Sequence, residues 1–108
     1  MARSIDCPYL GASVELTDER EVHMAGEHPE LLPHLDLIGG ALNDPDAVYP
    51  GTRSANSRLF VRWYDDLAGG SRLVVVVVSD LEPRERHWVV TAHISGHAIR
   101  GVPEWQRQ

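Results

Sequence analysis

Histidine is the side chain in this sequence best suited to moving protons near neutral pH, because the ordinary pKa of its ring is about 6.5. The segment VHMAGEHPE places His23 and His28 five positions apart. One face of a helix repeats every three or four positions, so this pair does not share a helical face. Three roles are therefore open for the pair: proton transfer, metal binding, or marking the break between two helices.

Metal binding has the least support among these roles. A spacing of five across a helix break matches no zinc template, and the HISGH pair, His93 and His97, is no better placed. Cys7 is the single cysteine and has no metal-binding spacing around it. We therefore expect no bound metal and no cofactor. A serine hydrolase is not indicated either, because the sequence contains no nucleophile-elbow motif.

Two predicted strands, 58–64 and 87–95, carry polar side chains that could complete a site. Successive side chains of a strand point to opposite faces of its sheet. We expect the apolar faces to meet the helices, which leaves one open face rich in polar groups. That open face is expected to hold Arg58, Arg62, Tyr64, Thr91, His93 and Ser95.

Side chains of these types could cleave RNA without a metal ion. The reaction needs a base that takes the 2′-OH proton, an acid that protonates the leaving 5′-oxygen, and a cation that stabilises the phosphorane charge. Histidine can be either proton carrier, and arginine presents a fork that matches phosphate. Tyr64 and Phe60 could stack on a base. The alternative is the ordinary polar outer face of any two-layer sheet, which patterning alone favours.

The elements that would position these side chains begin with a strand at 13–17, where SVELT alternates. A helix starting near Asp18, with a capping box to Glu21, must end by His28, because Pro29 disfavours helical backbone in the residue before it. A second helix stops at NDPD. Its apolar face consists of Leu31, Leu35, Ile38 and Leu42.

A continuous apolar run, RLVVVVV at 72–78, predicts a central strand covered on both faces. Links of hairpin length that contain Gly or Pro join it to the strands on either side in sequence. These three strands should form an antiparallel meander. The predicted fold is therefore α+β, with two N-terminal helices packed on a mainly antiparallel four-stranded sheet.

Length and charge limit the class of protein further. The 108 residues should form one domain, 1–108, with a core of about 13–96 and a loosely attached tail 97–108 that Trp105 docks. The net charge of −6 argues against broad electrostatic binding of nucleic acid. The first residues lack a signal-peptide core, and no run of about 18 apolar residues occurs, so we expect a cytoplasmic protein without a membrane partner.

Five segments in order carry a resemblance to a known family: ELTDEREVHMAGEHPELL, ALNDPDAV, RLFVRWYD, LVVVVV and WVVTAHIS. Together they resemble the phage-associated PBECR domains of the barnase–EndoU–colicin–RelE superfamily. The resemblance implies a helix-plus-four-stranded-sheet fold and a metal-independent ribonuclease, often a toxin paired with an antitoxin. His93 stands where the family commonly has an aromatic residue. The positions that match the family pattern are Arg20, His23, His28, Glu30, Arg62, Tyr64 and Thr91.

The leading hypothesis is a small ribonuclease toxin that acts on RNA and has a small antitoxin protein as a second partner. The alternatives are a non-catalytic binding module of the same fold, favoured by the acidic charge, and an accessory protein that holds a partner through a sheet edge. We expect Arg62 and Thr91 on one face, with His23 or His28 near, in a locally positive cleft. The expected catalytic residues are His23, His28, Arg62, Tyr64, Thr91 and His93. The expected substrate-binding residues are Arg20, Glu30, Arg58, Phe60 and Ser95.

Overall fold

The second half of the chain supplies the centre of the fold. The computed structural model describes residues 3–52 and 54–108. In chain order the elements are β1 (Arg3–Cys7), β2 (Ala12–Leu16), α1 (Asp18–Glu27), a 3-10 helix (Pro29–His34), α2 (Leu37–Asn43), β3 (Ala47–Pro50), β4 (Ser57–Tyr64), β5 (Ser71–Asp80), β6 (Arg86–Ser95) and β7 (Trp105–Gln106). The strands form one sheet in the order β1-β2-β6-β5-β4-β3-β7, so the valine-rich strand β5 lies in the middle, as predicted.

The predicted α+β fold, with two helices on a mainly antiparallel four-stranded sheet, is wrong. The protein is mostly sheet: seven strands of mixed direction curl into a half-barrel that carries three small helices. The sheet is mixed because β2 and β6 are parallel, with Glu15 paired to Trp88. Sequence reasoning misses β1, β3 and β7, because these short strands at or beside the sheet edges lack a sustained alternation of apolar residues.

Burial on both faces of β5 explains its continuous apolar sequence. Leu73, Val75 and Val77 belong to the main core, which also contains the buried helix residues. Val74 and Val76 are buried as well, although their side chains point to the opposite face of the sheet. We call the face of Leu73, Val75 and Val77 the core face, and the face of Val74 and Val76 the cleft face.

The helices begin and end close to the predicted positions, but the second one is divided. The Thr17 side chain caps α1 by accepting a hydrogen bond from the Arg20 N–H at 3.2 Å, and α1 ends at Glu27, before Pro29. The next segment forms a 3-10 helix and then α2, because Pro33 lacks the N–H that an α-helix needs. No helix of the described residues is long and apolar enough to cross a membrane. The predicted apolar face is fully buried at Leu31, Ile38 and Leu42 and partly buried at Leu35.

The C-terminal tail, expected to be loosely attached, is hydrogen-bonded to the sheet. β7 pairs antiparallel with β3, where Trp105 lies opposite Val48. The guanidinium of Arg107 donates to the Asp44 carboxylate, and this hydrogen bond raises the pKa of Arg107. The Trp105 ring lies 6.0 Å from the Tyr9 ring, measured between centroids. The tail therefore covers the free edge of β3.

Candidate functional site

The side chains expected on one open face are divided between the two faces of the sheet. Arg62 pairs with Leu73, and Thr91 pairs with Val76. Leu73 and Val76 are three residues apart on one strand, so their side chains point to opposite faces. The prediction that Arg62 and Thr91 share a face is therefore wrong. Phe60 accounts for the error, because its full burial in the core turns every second side chain of β4 towards the helices.

A β-bulge in β6 changes which of its residues face the core. Val76 pairs with Thr91, but Val77 pairs with Val89, which leaves Val90 as the extra residue. Val89 before the bulge and Ala92 after it are both buried in the core, although simple alternation would place them on opposite faces. The bulge therefore brings three predicted site residues to the cleft face: Thr91, His93 and Ser95.

A cleft of about 290 Å³ opens on the cleft face of the sheet. Its polar side chains come from the end of α1, from the β3–β4 loop, from the start of β4 and from the second half of β6. We call it the histidine cleft. It is lined by Glu27, His28, Gly51, Thr52, Ser57, Leu59, Val76, Thr91 and His93.

His28 owes its place in the cleft to the end of α1. The residue is the C-cap of this helix, and its backbone N–H donates to the Met24 carbonyl at 2.7 Å. Pro29 then turns the chain away, since the residue before a proline avoids the helical region. The His28 ring consequently reaches the sheet, where its centroid lies 6.2 Å from the centroid of the His93 ring.

The environment of His93 suits a proton acceptor. Burial lowers the pKa of the His93 ring below its ordinary 6.5, and the nearby His28 lowers it further. The ring is therefore uncharged at neutral pH and has a free nitrogen lone pair. A neutral imidazole in a cleft is the form of histidine that acts as a general base.

The hydroxyl of Thr91 has no hydrogen-bond partner among the described residues. Its Oγ1 atom is buried and makes no hydrogen bond to the described residues. A buried hydroxyl without a hydrogen bond costs about 1–3 kcal/mol, so such groups are normally satisfied. Ser57, by contrast, is buried in the same cleft but donates to the Ser54 carbonyl at 2.8 Å. Thr91 lines the cleft, so its buried hydroxyl is the unpaired polar group nearest to any ligand bound there.

Three other predicted residues lie near the cleft or at its rim. The His23 ring is half exposed and pairs with Glu27 at 2.9 Å, so it contacts the cleft only through that carboxylate. Glu30 lies 3.9 Å from the His28 ring. Arg20 is in the first turn of α1, outside the residues that line the cleft. The structure thus brings together His28, Thr91 and His93, with His23 and Glu30 behind them.

Two residues expected in the site, Arg62 and Tyr64, contact α2 instead. Arg62 Nη1 donates to the Gly40 carbonyl at 3.2 Å and to the Asp44 carbonyl at 3.4 Å. Its guanidinium lies 5.0 Å from the Tyr64 ring, and the Tyr64 hydroxyl donates to the Leu37 carbonyl at 3.0 Å. Burial raises the pKa of this hydroxyl, which keeps it protonated as a donor. Both side chains therefore bind main-chain carbonyls of α2 and of its C-cap, Asp44, and not groups of the histidine cleft.

The remaining predicted substrate-binding residues also make structural contacts. Phe60 is fully buried against the Tyr9 ring, so it cannot stack on a base. Arg58 forms an ion pair with Glu104 at 3.3 Å. Ser95 donates to the His97 carbonyl at 3.0 Å and accepts from the His97 N–H, which fixes the turn after β6.

The charge of the cleft differs from the expectation. Among the described lining residues none is arginine, and Glu27 contributes a carboxylate, so the predicted local positive charge is not seen there. Arg72, which sequence reasoning missed, lies on the cleft face, opposite Ser95. The sequence does indicate this placement, because Arg72, Val74 and Val76 follow one another at intervals of two along β5 and so point to the same face.

No group of three His, Cys, Asp or Glu side chains within 3–52 and 54–108 could hold a metal ion. No protein-family model, curated protein or solved structure matches the chain. The resemblance to PBECR domains therefore remains an expectation from the five sequence segments.

A further buried histidine, His87, lies on the core face and belongs to the β5–β6 hairpin. Its Nδ1 atom is 2.6 Å from the Ser79 hydroxyl oxygen, and its Nε2 atom is 3.1 Å from the Glu85 carboxylate. Both ring nitrogens are thus paired with neighbours in the same hairpin. We interpret this set as a polar link that joins the two strands before their turn.

Proposed function

We propose that the protein is a metal-independent ribonuclease that cleaves RNA by attack of a 2′-OH on the adjacent phosphate. The observation that carries the proposal is the pair of histidine rings, His28 and His93, 6.2 Å apart in one cleft. Two histidines provide a base and an acid that both work near neutral pH without a metal ion.

Three side chains of the cleft have roles in this reaction. Neutral His93 takes the proton from the 2′-OH, whose oxygen attacks phosphorus. His28 acts as the acid that gives a proton to the leaving 5′-oxygen, so the products are a 2′,3′-cyclic phosphate and a 5′-hydroxyl end. The unpaired Thr91 hydroxyl donates to a phosphate oxygen as its charge develops. His23 and Glu30 act only through neighbouring groups.

The shape of the cleft favours single-stranded RNA as the substrate. Its volume of about 290 Å³ is near the lower limit of small-molecule pockets, enough for about one nucleotide unit. The end of α1 and the β3–β4 loop both contribute to its lining. A single strand can splay a nucleotide into such a space, whereas a duplex holds its bases stacked and paired.

An RNA cleavage assay with end-labelled single-stranded RNA, in EDTA, tests the proposal. We expect cleavage to persist in EDTA and to leave a 2′,3′-cyclic phosphate. His93→Ala and His28→Ala should each lower the rate by about 100- to 10,000-fold, the usual contribution of a general acid or base. His97→Ala is the matched control, because the residue is exposed and lies outside the cleft. Equal rates for all three variants and the wild type would remove the histidine pair from the mechanism.

A non-catalytic binding module remains the second candidate function, and the net charge of −6 is the observation that favours it. An acidic protein gains little from general attraction to the phosphate backbone. Binding of RNA in the cleft without any cleavage by the wild-type protein would favour this second function.

The toxin role that we propose rests on the resemblance to PBECR domains. We expect induced expression in bacteria to arrest growth, and His93→Ala to relieve the arrest at equal protein level. Growth arrest that is equally strong with the His93 variant would show that toxicity does not depend on the histidine cleft. An antitoxin protein would then have to block another surface of the protein.

A further inference from the structure

A second pocket of about 330 Å³ lies on the same face of the sheet as the histidine cleft. Tyr49 on β3, Trp63 on β4 and Arg72 on β5 line it, and we call these three residues the aromatic slot. Tyr49 pairs in register with Leu59, which lines the histidine cleft. The slot and the cleft are therefore neighbouring parts of one sheet surface.

Strand pairing gives the step from the cleft to the slot. His93 lies opposite Val74, and Ser95 lies opposite Arg72. Arg72 is thus two residues along β5 from the position facing His93, a distance of about 6.6–6.8 Å. Neighbouring phosphates of an extended RNA strand are separated by a similar length. Arg72 is placed to meet the phosphate next to the one at the histidines.

The charges around Arg72 leave it available to an anion. Its guanidinium lies 5.2 Å from the Trp63 ring, and no carboxylate of the described residues forms an ion pair with it. Asp46 also lines the slot, but its carboxylate accepts the Trp63 backbone N–H at 2.7 Å and pairs with Arg107 at 3.4 Å. The acid is therefore partly neutralised, whereas Arg72 is not.

The aromatic rings supply the second kind of contact that a nucleotide needs. Trp63 is 44% exposed, which is unusual for so large an apolar side chain on a strand. Base stacking on an aromatic ring tolerates any sequence, because every base has a flat face. A cation and two aromatic rings in one slot match one phosphate and one base.

We propose that the aromatic slot binds the nucleotide next to the scissile phosphate of single-stranded RNA. Arg72 contacts its phosphate, and Trp63 or Tyr49 stacks on its base. The proposal rests on the ribonuclease function argued above and adds the position of the neighbouring nucleotide. It also gives the face of the histidines a cation of its own, although for the neighbouring phosphate and not for the scissile one.

Binding of a cleavage-resistant strand tests the slot independently of catalysis. The probe is a fluorescein-labelled 2′-O-methyl RNA oligonucleotide, and its fluorescence anisotropy is titrated with full-length protein over a range of salt. Arg72→Ala should weaken binding and reduce the slope of log K against log salt by about 0.7, the value for one phosphate contact to a single strand. The control is Arg84→Ala, which removes one exposed charge in the β5–β6 turn.

Trp63 variants test the stacking contact. Trp63→Leu should weaken binding by roughly 5- to 150-fold, the range for one lost base stack, whereas Trp63→Phe should keep most of the affinity. A purely structural role for the ring would show as altered thermal unfolding with unchanged affinity.

The outcomes separate the slot from the ribonuclease proposal. Equal salt slopes for Arg72→Ala, Arg84→Ala and the wild type would overturn the slot, whatever the cleavage assay shows. A reduced slope for Arg72→Ala alone supports the slot. If that result is obtained while the wild type fails to cleave RNA, the slot stands as a binding site and the ribonuclease function falls.

Discussion

Replacement of Arg62 by alanine distinguishes the structure from the sequence-based interpretation most directly. As a catalytic cation on an open face, Arg62 would be needed for the rate and dispensable for folding. The structure assigns it the reverse role, because its guanidinium holds two carbonyls at the end of α2 and contacts the Tyr64 ring. We therefore expect Arg62→Ala to lower stability and to leave the chemistry of the histidine cleft intact.

The size of the loss follows from the contacts. Two hydrogen bonds to carbonyls contribute about 1 kcal/mol each, and a cation at a helix C-terminus adds about 0.3–1 kcal/mol. The contact with the Tyr64 ring adds about 0.5 kcal/mol. The side chain is 31% exposed, so water compensates part of this sum. We expect a net loss of about 2 kcal/mol, which lowers the melting temperature by about 8–16 °C in a domain of this size.

Urea and thermal unfolding measure this loss, and RNA cleavage is then assayed well below the lower melting temperature. Arg62→Lys keeps the charge but not the planar fork, so it should recover only part of the stability. Arg84→Ala controls for the change in net charge. An Arg62→Ala protein with unchanged unfolding and a cleavage rate reduced 100-fold would refute the structural role and return Arg62 to the catalytic set.

Three further predictions concern the cleft and the core. Thr91→Val should leave stability equal or higher, because the buried hydroxyl has no partner, and should slow RNA cleavage; a clear loss of unfolding free energy would contradict this. The folded protein lowers the pKa of His93, so the unfolded chain binds more protons as the pH falls below 6.5. The contribution of His93 to the unfolding free energy is therefore fully present above pH 6.5 and is lost as the pH falls through the folded pKa. Urea unfolding at several pH values should show a steeper loss for the wild type than for His93→Gln, and equal slopes would count against a buried His93. Ile38→Ala should cost about 2–5 kcal/mol by chemical unfolding and Leu35→Ala clearly less, because Ile38 is fully buried and Leu35 only partly; a larger loss for Leu35 would reverse the packing order.

The features that sequence reasoning predicts correctly depend on local chemistry. A run of β-branched residues forms the middle strand, because this strand is buried on both faces along most of its length. Pro29 ends α1 at the expected residue, because a proline restricts the residue before it. His28 was singled out for the same reason, and it does line the cleft.

The features that sequence reasoning misses depend on contacts between distant segments. β1 has only Cys7 fully buried, so its sequence carries no alternation to recognise. The phase of β4 cannot be read locally, since Arg62 and Tyr64 reach helix carbonyls while the exposed Trp63 lies on the other face. Two alternating strands can be placed in two phases relative to each other, and only the pairing through β5 decides between them.

Because of the bulge at Val90, the number of residues in β6 matters as much as their types for which side chains face the core. Alternation along β6 changes phase at the bulge: His87 and Val89 face the core side of the sheet, whereas Thr91, His93 and Ser95 face the cleft side. A deletion of one residue between His87 and Thr91 would move the side chains of half of the strand from the core face to the cleft face, and the others from the cleft face to the core face. Gain or loss of a residue in the turn at 81–85 would carry no such cost. Among descendants of this sequence, insertions and deletions should therefore be tolerated in the turn and eliminated within the strand, even where every individual side chain could be replaced.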